Sequence, residues 1–274
     1  MASTTLTGGG ITFPKLGLGT FQLSGKTCQH AVETALAIGY RHIDTAQMYG
    51  NETEVGAGLM GSGLERGDIH LTTKVWYENL SPAGIERSLS QSLTRLATPY
   101  VDLLLVHWPS PTMRLDQVMA TLMGLRQQGL IKALGVSNFP MALLKQAVED
   151  LKAPIACNQV EYHALLSQAK LLSYARSVGV PIVAYSPLAR GQLANEPVLQ
   201  RIAKKHGASA AQVGLKWLLD QDGVGAVPKA TQLASQRSNF EAQSLVLDAE
   251  DVRAIEALPK DRRLVDPGFG PVWD

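Results

Sequence analysis

Cysteine is scarce: the 274-residue chain has two, Cys28 and Cys157, neither in a CxxC pair nor beside other metal-binding side chains. A disulfide-built scaffold and the usual zinc spacings are excluded, and both thiols read as reduced core residues. Charge of one sign is lacking too, with 25 Lys and Arg against 24 Asp and Glu. A net charge of +1 creates no field that would draw the chain to nucleic acid or to an anionic membrane. No apolar stretch approaches the roughly 20 residues of a membrane-spanning helix. The opening MASTTLTGGG has neither the basic start nor the apolar run of a secretory signal. These absences predict a cytoplasmic protein with no membrane or nucleic-acid partner. A serine-hydrolase elbow is missing, since GVSNF (135–139) is not GxSxG. Without linkers, charge blocks or low-complexity segments, one domain over 1–274 is expected.

What the chain does have is apolar content, 45% against 18% charged, enough for a large core. Short, often β-branched runs recur with amphipathic segments between them. Strands are predicted at 15–20, 42–44, 69–75, 101–107, 131–137, 156–160, 181–185 and 225–227. Helices are predicted at 29–38, 52–62, from Ser81 with Pro82 in its first position, and at 116–128, with helical sequence after each later strand. Eight strand–helix units in about 250 residues predict an α/β fold with parallel pairing, a closed (β/α)8 TIM barrel, with a doubly wound open sheet as the alternative. Glycines 8–10 fit the tight turn of a short N-terminal β-hairpin that caps the barrel floor. Gly17-Leu18-Gly19 begins like a dinucleotide fingerprint, but Gln22 stands where the third glycine belongs and no helix opens there. It reads as a strand pressed against another backbone.

Chemistry in such a barrel sits at the C-terminal ends of the strands. The second strand stops at Asp44, with Tyr49 in the loop beyond; the third carries Lys74 and the fourth ends on His107. The fifth ends in Ser137-Asn138, the sixth includes Gln159 and the seventh ends in Tyr185-Ser186. Singly, each has an ordinary structural reading as a helix cap, packed phenol, snorkelling lysine or core histidine. Gathered on one rim they must satisfy one another, and together they compose an acid catalyst. A phenol with a pKa near ~10 keeps its proton at neutral pH. The Lys74 ammonium is expected to stabilise the phenolate and lower that pKa, with Asp44 holding Lys74 in place. His107 is positioned to donate to a substrate carbonyl. Such a group protonates oxygen while something else attacks carbon, and the sequence offers no attacker of its own. A hydride from a nicotinamide cofactor fills the gap, with Ser137, Asn138 and Gln159 binding its carboxamide and Tyr185 stacked on its ring.

These segments resemble those of the aldo-keto reductase family: GYRHIDTAQMYGNETEVG (39–56) its Asp–Tyr signature, LTTKVW (71–76) its lysine segment and VDLLLVHWP (101–109) its histidine segment. GVSNF, NQVEY (158–162) and YSPLARG (185–191) resemble its cofactor segments. The similarity runs in order from about Gly17 to the C-terminus. The ending RLVDPGFGPVWD (263–274) is similar to that of a bacterial branch acting on 2,5-diketogluconate and methylglyoxal. The resemblance implies a catalytic tetrad on Asp44, Tyr49, Lys74 and His107, and NADPH extended across the barrel mouth. Cofactor contacts then fall on Thr20, Asp44, Ser137, Asn138, Gln159, Tyr185, Ser186, Leu188, Lys229, Thr231, Arg237 and Asn239. Against the family pattern, VPKATQLASQRSN (227–239) keeps Lys229 and Asn239 but has Ala230 for Ser, Ser235 at the Arg position and Ser238 for Glu. NADPH remains preferred through Lys229, with Arg237 as a substitute cation, and NADH is less excluded than usual. Substrate contacts fall on Phe21, Trp76, His107 and Trp108, with Tyr77 and Trp273 as further aromatics. The short tail after Leu264 implies an open pocket.

The expected function is therefore a monomeric, NADPH-dependent reductase of small aldehydes, α-dicarbonyls or keto-sugars. Two other classes stay open: a non-catalytic nicotinamide-nucleotide-binding barrel, and an aldolase using Lys74 as a Schiff base, which a protonated, ion-paired Lys74 would disfavour.

Overall fold

The computed structural model describes residues 3–274. Among them, the chain opens with an antiparallel hairpin, β1 (Thr5–Gly8) and β2 (Ile11–Pro14). Eight parallel strands follow: β3 (Leu18–Gly19), β4 (His42–Asp44), β5 (His70–Val75), β6 (Val101–Val106), β7 (Ile131–Ser137), β8 (Ile155–Glu161), β9 (Ile182–Tyr185) and β10 (Val224–Ala226). Each pairs with its neighbour in sequence, and the parallel bridges Leu16–Ala226 and Gly19–Lys229 join the last strand to the first. That closure decides between the two architectures: a doubly wound sheet has two edges, and this sheet has none.

Every residue of β4, β5, β6 and β8 is buried, as strands covered on both faces must be. The outer layer comprises α1 (Gly25–Ile38), α2 (Glu52–Gly61), α3 (Pro82–Leu96), α4 (Leu115–Gln127), α5 (Met141–Lys145), α6 (Ala169–Ser177), α7 (Pro197–His206), α8 (Ala210–Asp220), α9 (Leu233–Glu241) and α10 (Ala249–Glu256). Helix α3 begins as its sequence predicts: Pro82 takes the first position and Ser81 Oγ accepts the Gly84 N–H at 3.2 Å. Other bounds differ. α1 starts at Gly25, four residues earlier than the apolar spacing suggests, and α5 is one turn that runs into a π-helical segment at Gln146–Asp150. Two helices follow β9, each with its own cap: Glu196 for α7, and a reciprocal Ser209/Gln212 box for α8.

Leu6 and Phe13 of the hairpin enter the barrel interior beside Leu103, Leu105, Ala133 and Val183, and so plug its floor. Gly9, at φ 58°, makes the hairpin turn, and a Cβ there would lie 2.7 Å from Pro154 O. The Gly17–Gly19 run is a close backbone approach as expected: a Cβ on Gly19 would stand 2.5 Å from Val227 O. Cys28 and Cys157 are buried free thiols. No helix among the described residues is long and apolar enough to cross a membrane. With the floor plugged, the open end is the C-terminal rim.

Candidate active site

Tyr49 is delivered by a loop whose shape follows from its sequence. After β4 the chain makes a single 3₁₀ turn, Gln47–Tyr49, which Gly50 ends in the left-handed region at φ 67°. Buried Asn51 pins that turn. Its amide donates to Thr20 O and Leu23 O at 2.8 and 2.9 Å, and its Oδ1 accepts from Thr45 Oγ at 2.9 Å. Glu52, also buried, accepts from Thr73, Ser92 and Arg95. Both lie inside the Asp–Tyr signature stretch without having been singled out, and both hold the phenol where it is.

Lys74, on β5, is buried and has each of its ammonium hydrogens directed at an oxygen: Asp44 Oδ1 at 2.5 Å, Thr45 O at 2.9 Å and Tyr49 Oη at 3.5 Å. Burial pulls its pKa down, but the Asp44 carboxylate and the Tyr49 oxygen outweigh it and the pKa rises. Lys74 is thus a fixed cation, not a free amine. For Tyr49 the balance runs the other way. Burial pushes its pKa up, and Lys74 offsets this in part without reversing it. The expectation of a lowered phenol pKa is corrected accordingly: Lys74 acts in the predicted direction, and desolvation is larger. His107 is pushed well below the ordinary imidazole range by burial and by the Lys74 charge, so it is neutral at pH 7. Its ring meets Tyr49 edge-on at 5.6 Å, and its Nδ1 is buried without a partner among the described residues.

The other rim residues divide. Gln159 Nε2 donates to Asp44 Oδ2 at 2.7 Å, which turns its carbonyl oxygen outward as an acceptor. Asn138, in the left-handed region at φ 61°, donates to His107 O at 2.9 Å and accepts from Tyr185 Oη at 2.8 Å. Ser137 Oγ donates to Gln159 O at 2.8 Å and is a structural brace. A cleft of about 530 Å³ opens above them, lined by Tyr49, His107, Trp108, Asn138, Gln159, Tyr185, Ser186, Leu188 and Lys229 among others. Phe21 and Met48, both more than 40% exposed, form its apolar lip. Thr20, Ser137, Thr231, Arg237, Asn239 and Trp76 do not line it. Thr20 holds Asp44 O through both its N–H and its hydroxyl. Trp76 stands behind His107, edge-on at 5.2 Å. Arg237 is exposed and forms no ion pair among the described residues.

The donor set fits a nicotinamide dinucleotide. Gln159 offers an acceptor for an amide N–H and Tyr185 a flat ring. The chain at Ser186, Ala189, Arg190 and Gly191 has positive φ, a tight turn closed by the Ala189 N–H on Ser186 O and the Gly191 N–H on Leu188 O, and Arg190 of that turn lines the cleft. Lys229, bridged to Gly19, supplies a cation on the cleft wall. Arg190, Gly191, Leu193, Ala194 and Val265, which the sequence did not single out, complete the wall. The short tail packs on the aromatic residues beside the cleft. Phe269 stacks on Tyr77 at 4.3 Å and packs edge-on to Trp76 and Trp108 at 5.7 Å, while Trp273 meets Trp108 at 6.0 Å.

Comparison with known proteins agrees with this geometry. Residues 15–260 match the description "Aldo/keto reductase family". Methylglyoxal reductase DkgB of Escherichia coli O157:H7 is 42% identical over 268 residues, which are 96% of this chain and 100% of that protein. Glyoxal reductase of Bacillus subtilis (strain 168) is 39% identical, covering 93% of this chain and 92% of that one. A solved structure assigned as a 2,5-diketo-D-gluconic acid reductase B superposes with a TM-score of 0.96 at 39% identity, covering 100% of this chain and 98% of that chain.

Proposed function

This chain belongs to the aldo/keto reductase family and is an oxidoreductase acting on carbonyl groups, and from that premise we propose that it reduces small aldehydes, α-dicarbonyls such as methylglyoxal, and keto-sugars to alcohols with NADPH. The observation that carries the reading is the Asp44–Lys74–Tyr49 chain, with every Lys74 hydrogen assigned and the phenol on the cleft wall.

A reduced nicotinamide, when bound, supplies hydride to the carbonyl carbon. The protein's part is to place and protonate. His107, neutral, orients the carbonyl oxygen toward Tyr49 Oη with an N–H. Tyr49 gives its proton to that oxygen as the C–O bond becomes single, leaving a phenolate whose charge Lys74 stabilises at 3.5 Å. Asp44 keeps Lys74 charged and aimed, and Gln159 fixes the second oxygen of Asp44. Protons and charge balance when Tyr49 is reprotonated from solvent. A Schiff-base aldolase is disfavoured, because its lysine needs a free amine and Lys74 has none.

NADPH over NADH rests on Lys229 lining the cleft, since a 2′-phosphate gains a charge-assisted bond there. We read the chain as one barrel domain over 1–274 and as a cytoplasmic monomer. The exposed apolar residues outside the cleft lip, Met60, Leu233, Val246 and Val272, stand in separate elements. A steady-state panel tests the proposal. Methylglyoxal and glyoxal should be reduced with NADPH and more slowly with NADH, whereas no NADPH oxidation with any aldehyde or dicarbonyl would overturn it.

A further inference from the structure

Strand β8 carries two buried polar side chains two residues apart and so on the same side of the strand, Gln159 and Glu161. Only the first belongs to the site above. Glu161 is fully buried, and a carboxylate there must be met by donors. One is His163, whose Nε2 lies 3.0 Å from Oε1. Because the Leu165 N–H donates to His163 Nδ1 at 3.2 Å, the imidazole hydrogen stands on Nε2 and points at Glu161. The other two donors come from the far end of the chain: the Leu264 N–H reaches Oε1 and the Val265 N–H reaches Oε2, both at 2.8 Å.

Those two residues are where the tail turns onto the cleft. Just before them, Asp261 bridges Leu166 and the Arg262 N–H donates to Leu165 O at 2.9 Å. Val265 itself lines the cleft. Beyond it, Phe269 lies among Trp76, Tyr77 and Trp108, and Asp274 accepts the Met141 N–H at 2.8 Å. We propose that Glu161 is a positioning residue for substrate, a clasp that holds residues 264–265, and with them the aromatic strap to Trp273, against the barrel. It shapes the carbonyl end of the cleft without touching the reacting atoms. What the strap encloses rests on the carbonyl-reductase reading; how it is held does not.

Glu161→Gln keeps the volume but places an amide N–H where one tail N–H needs an acceptor. In the full chain with NADPH bound, trypsin cutting after Arg262 or Arg263 reports tail release, followed by mass spectrometry of the C-terminal fragment. Loss of charge-assisted bonds to two backbone donors should speed that cut by about tenfold or more. KM for methylglyoxal should rise several-fold, with kcat and NADPH affinity held, because binding and not the chemical step is affected. Val265→Pro removes one tail donor without altering the barrel interior; because Val265 lines the cleft it is read by the trypsin cut alone, which should quicken, and that cut decides how the tail is held if Glu161→Gln does not fold. An unchanged cutting rate in the variants that fold, or an unchanged KM in a folded Glu161→Gln, would overturn the proposal. If the wild-type chain reduced no carbonyl, the functional reading would fall and the trypsin comparison would still judge the clasp.

Discussion

Lys74 has three N–H donors and the protein uses all three, which fixes what the residue can do. It is a charge, and the group it serves is Tyr49. Since burial raises the Tyr49 pKa and Lys74 lowers it only in part, the phenol stays protonated through neutral pH and loses its proton as pH rises through that raised value. Carbonyl reduction should therefore be level across neutral pH and fall on an alkaline limb. Lys74→Met removes the opposing cation. The limb should move further alkaline and turnover should drop; a variant with unaltered rate and profile would show that Lys74 only supports the fold. Tyr49→Phe deletes one hydroxyl, so NADPH binding should persist while turnover falls at least about 100-fold, the low end for general acid catalysis. That Tyr49, Lys74 and Asp44 meet was legible from their places at, or in the loop just beyond, neighbouring strand ends. The net sign of the Tyr49 shift was not, because desolvation depends on neighbours such as Phe21, 28 residues away in sequence and 5.0 Å away in space.

Elements decide the cofactor contacts. On α9 the inward positions are Gln236 and Asn239, both buried, so Arg237 between them faces solvent. Lys229 belongs instead to the segment bridged to Gly19 and lines the cleft. Lys229→Met should weaken NADPH binding by about 10- to 150-fold, the equivalent of roughly 1.5–3 kcal/mol for a charge-assisted bond. NADH binding should hardly change, and Arg237→Ala should cost less than Lys229→Met. Equal losses for both cofactors in Lys229→Met would assign the lysine to structure. At the opposite end of the barrel, His42 of β4 and His70 of β5 pack edge-on at 4.7 Å, and Phe13 of the hairpin stacks on His70 at 4.8 Å. Burial lowers both pKa values, well below the ordinary range for His70. The unfolded chain then binds more protons below about pH 6.5, so stability is full above that pH and falls as pH drops toward the folded values. Urea midpoints measured from pH 7 to pH 5 should decline, and His70→Phe should flatten the decline. Seven of the eight barrel strands were legible to within one residue at each end from apolar runs, whereas the first, expected at 15–20, pairs as a strand only over Leu18–Gly19. The α5-to-π segment and the early start of α1 were not, because both depend on what the helix packs against.

For the whole molecule, eight repeated units pointed to a barrel, but closure itself is a contact between β3 and β10, more than 200 residues apart in sequence, which no local pattern encodes. The same holds for the tail. Its motif was readable, yet its docking on Glu161 and its Phe269 wall join residues about 100 and 190 positions apart. What the closed barrel achieves is one cleft in which Tyr185, Gln159 and the phenol of Tyr49 share a wall. If a carbonyl carbon receives hydride in that cleft while Tyr49 protonates its oxygen, the label on the cofactor must reach the alcohol. The direct measurement is to incubate the wild-type protein with methylglyoxal and NADPH carrying two deuterium atoms at C4 of the nicotinamide, and to weigh the alcohol formed. One deuterium per product molecule is expected, bound to the new carbinol carbon, with NADPH consumed in equal amount. Alcohol formed without deuterium, or NADPH left unconsumed by an intact fold, would contradict it.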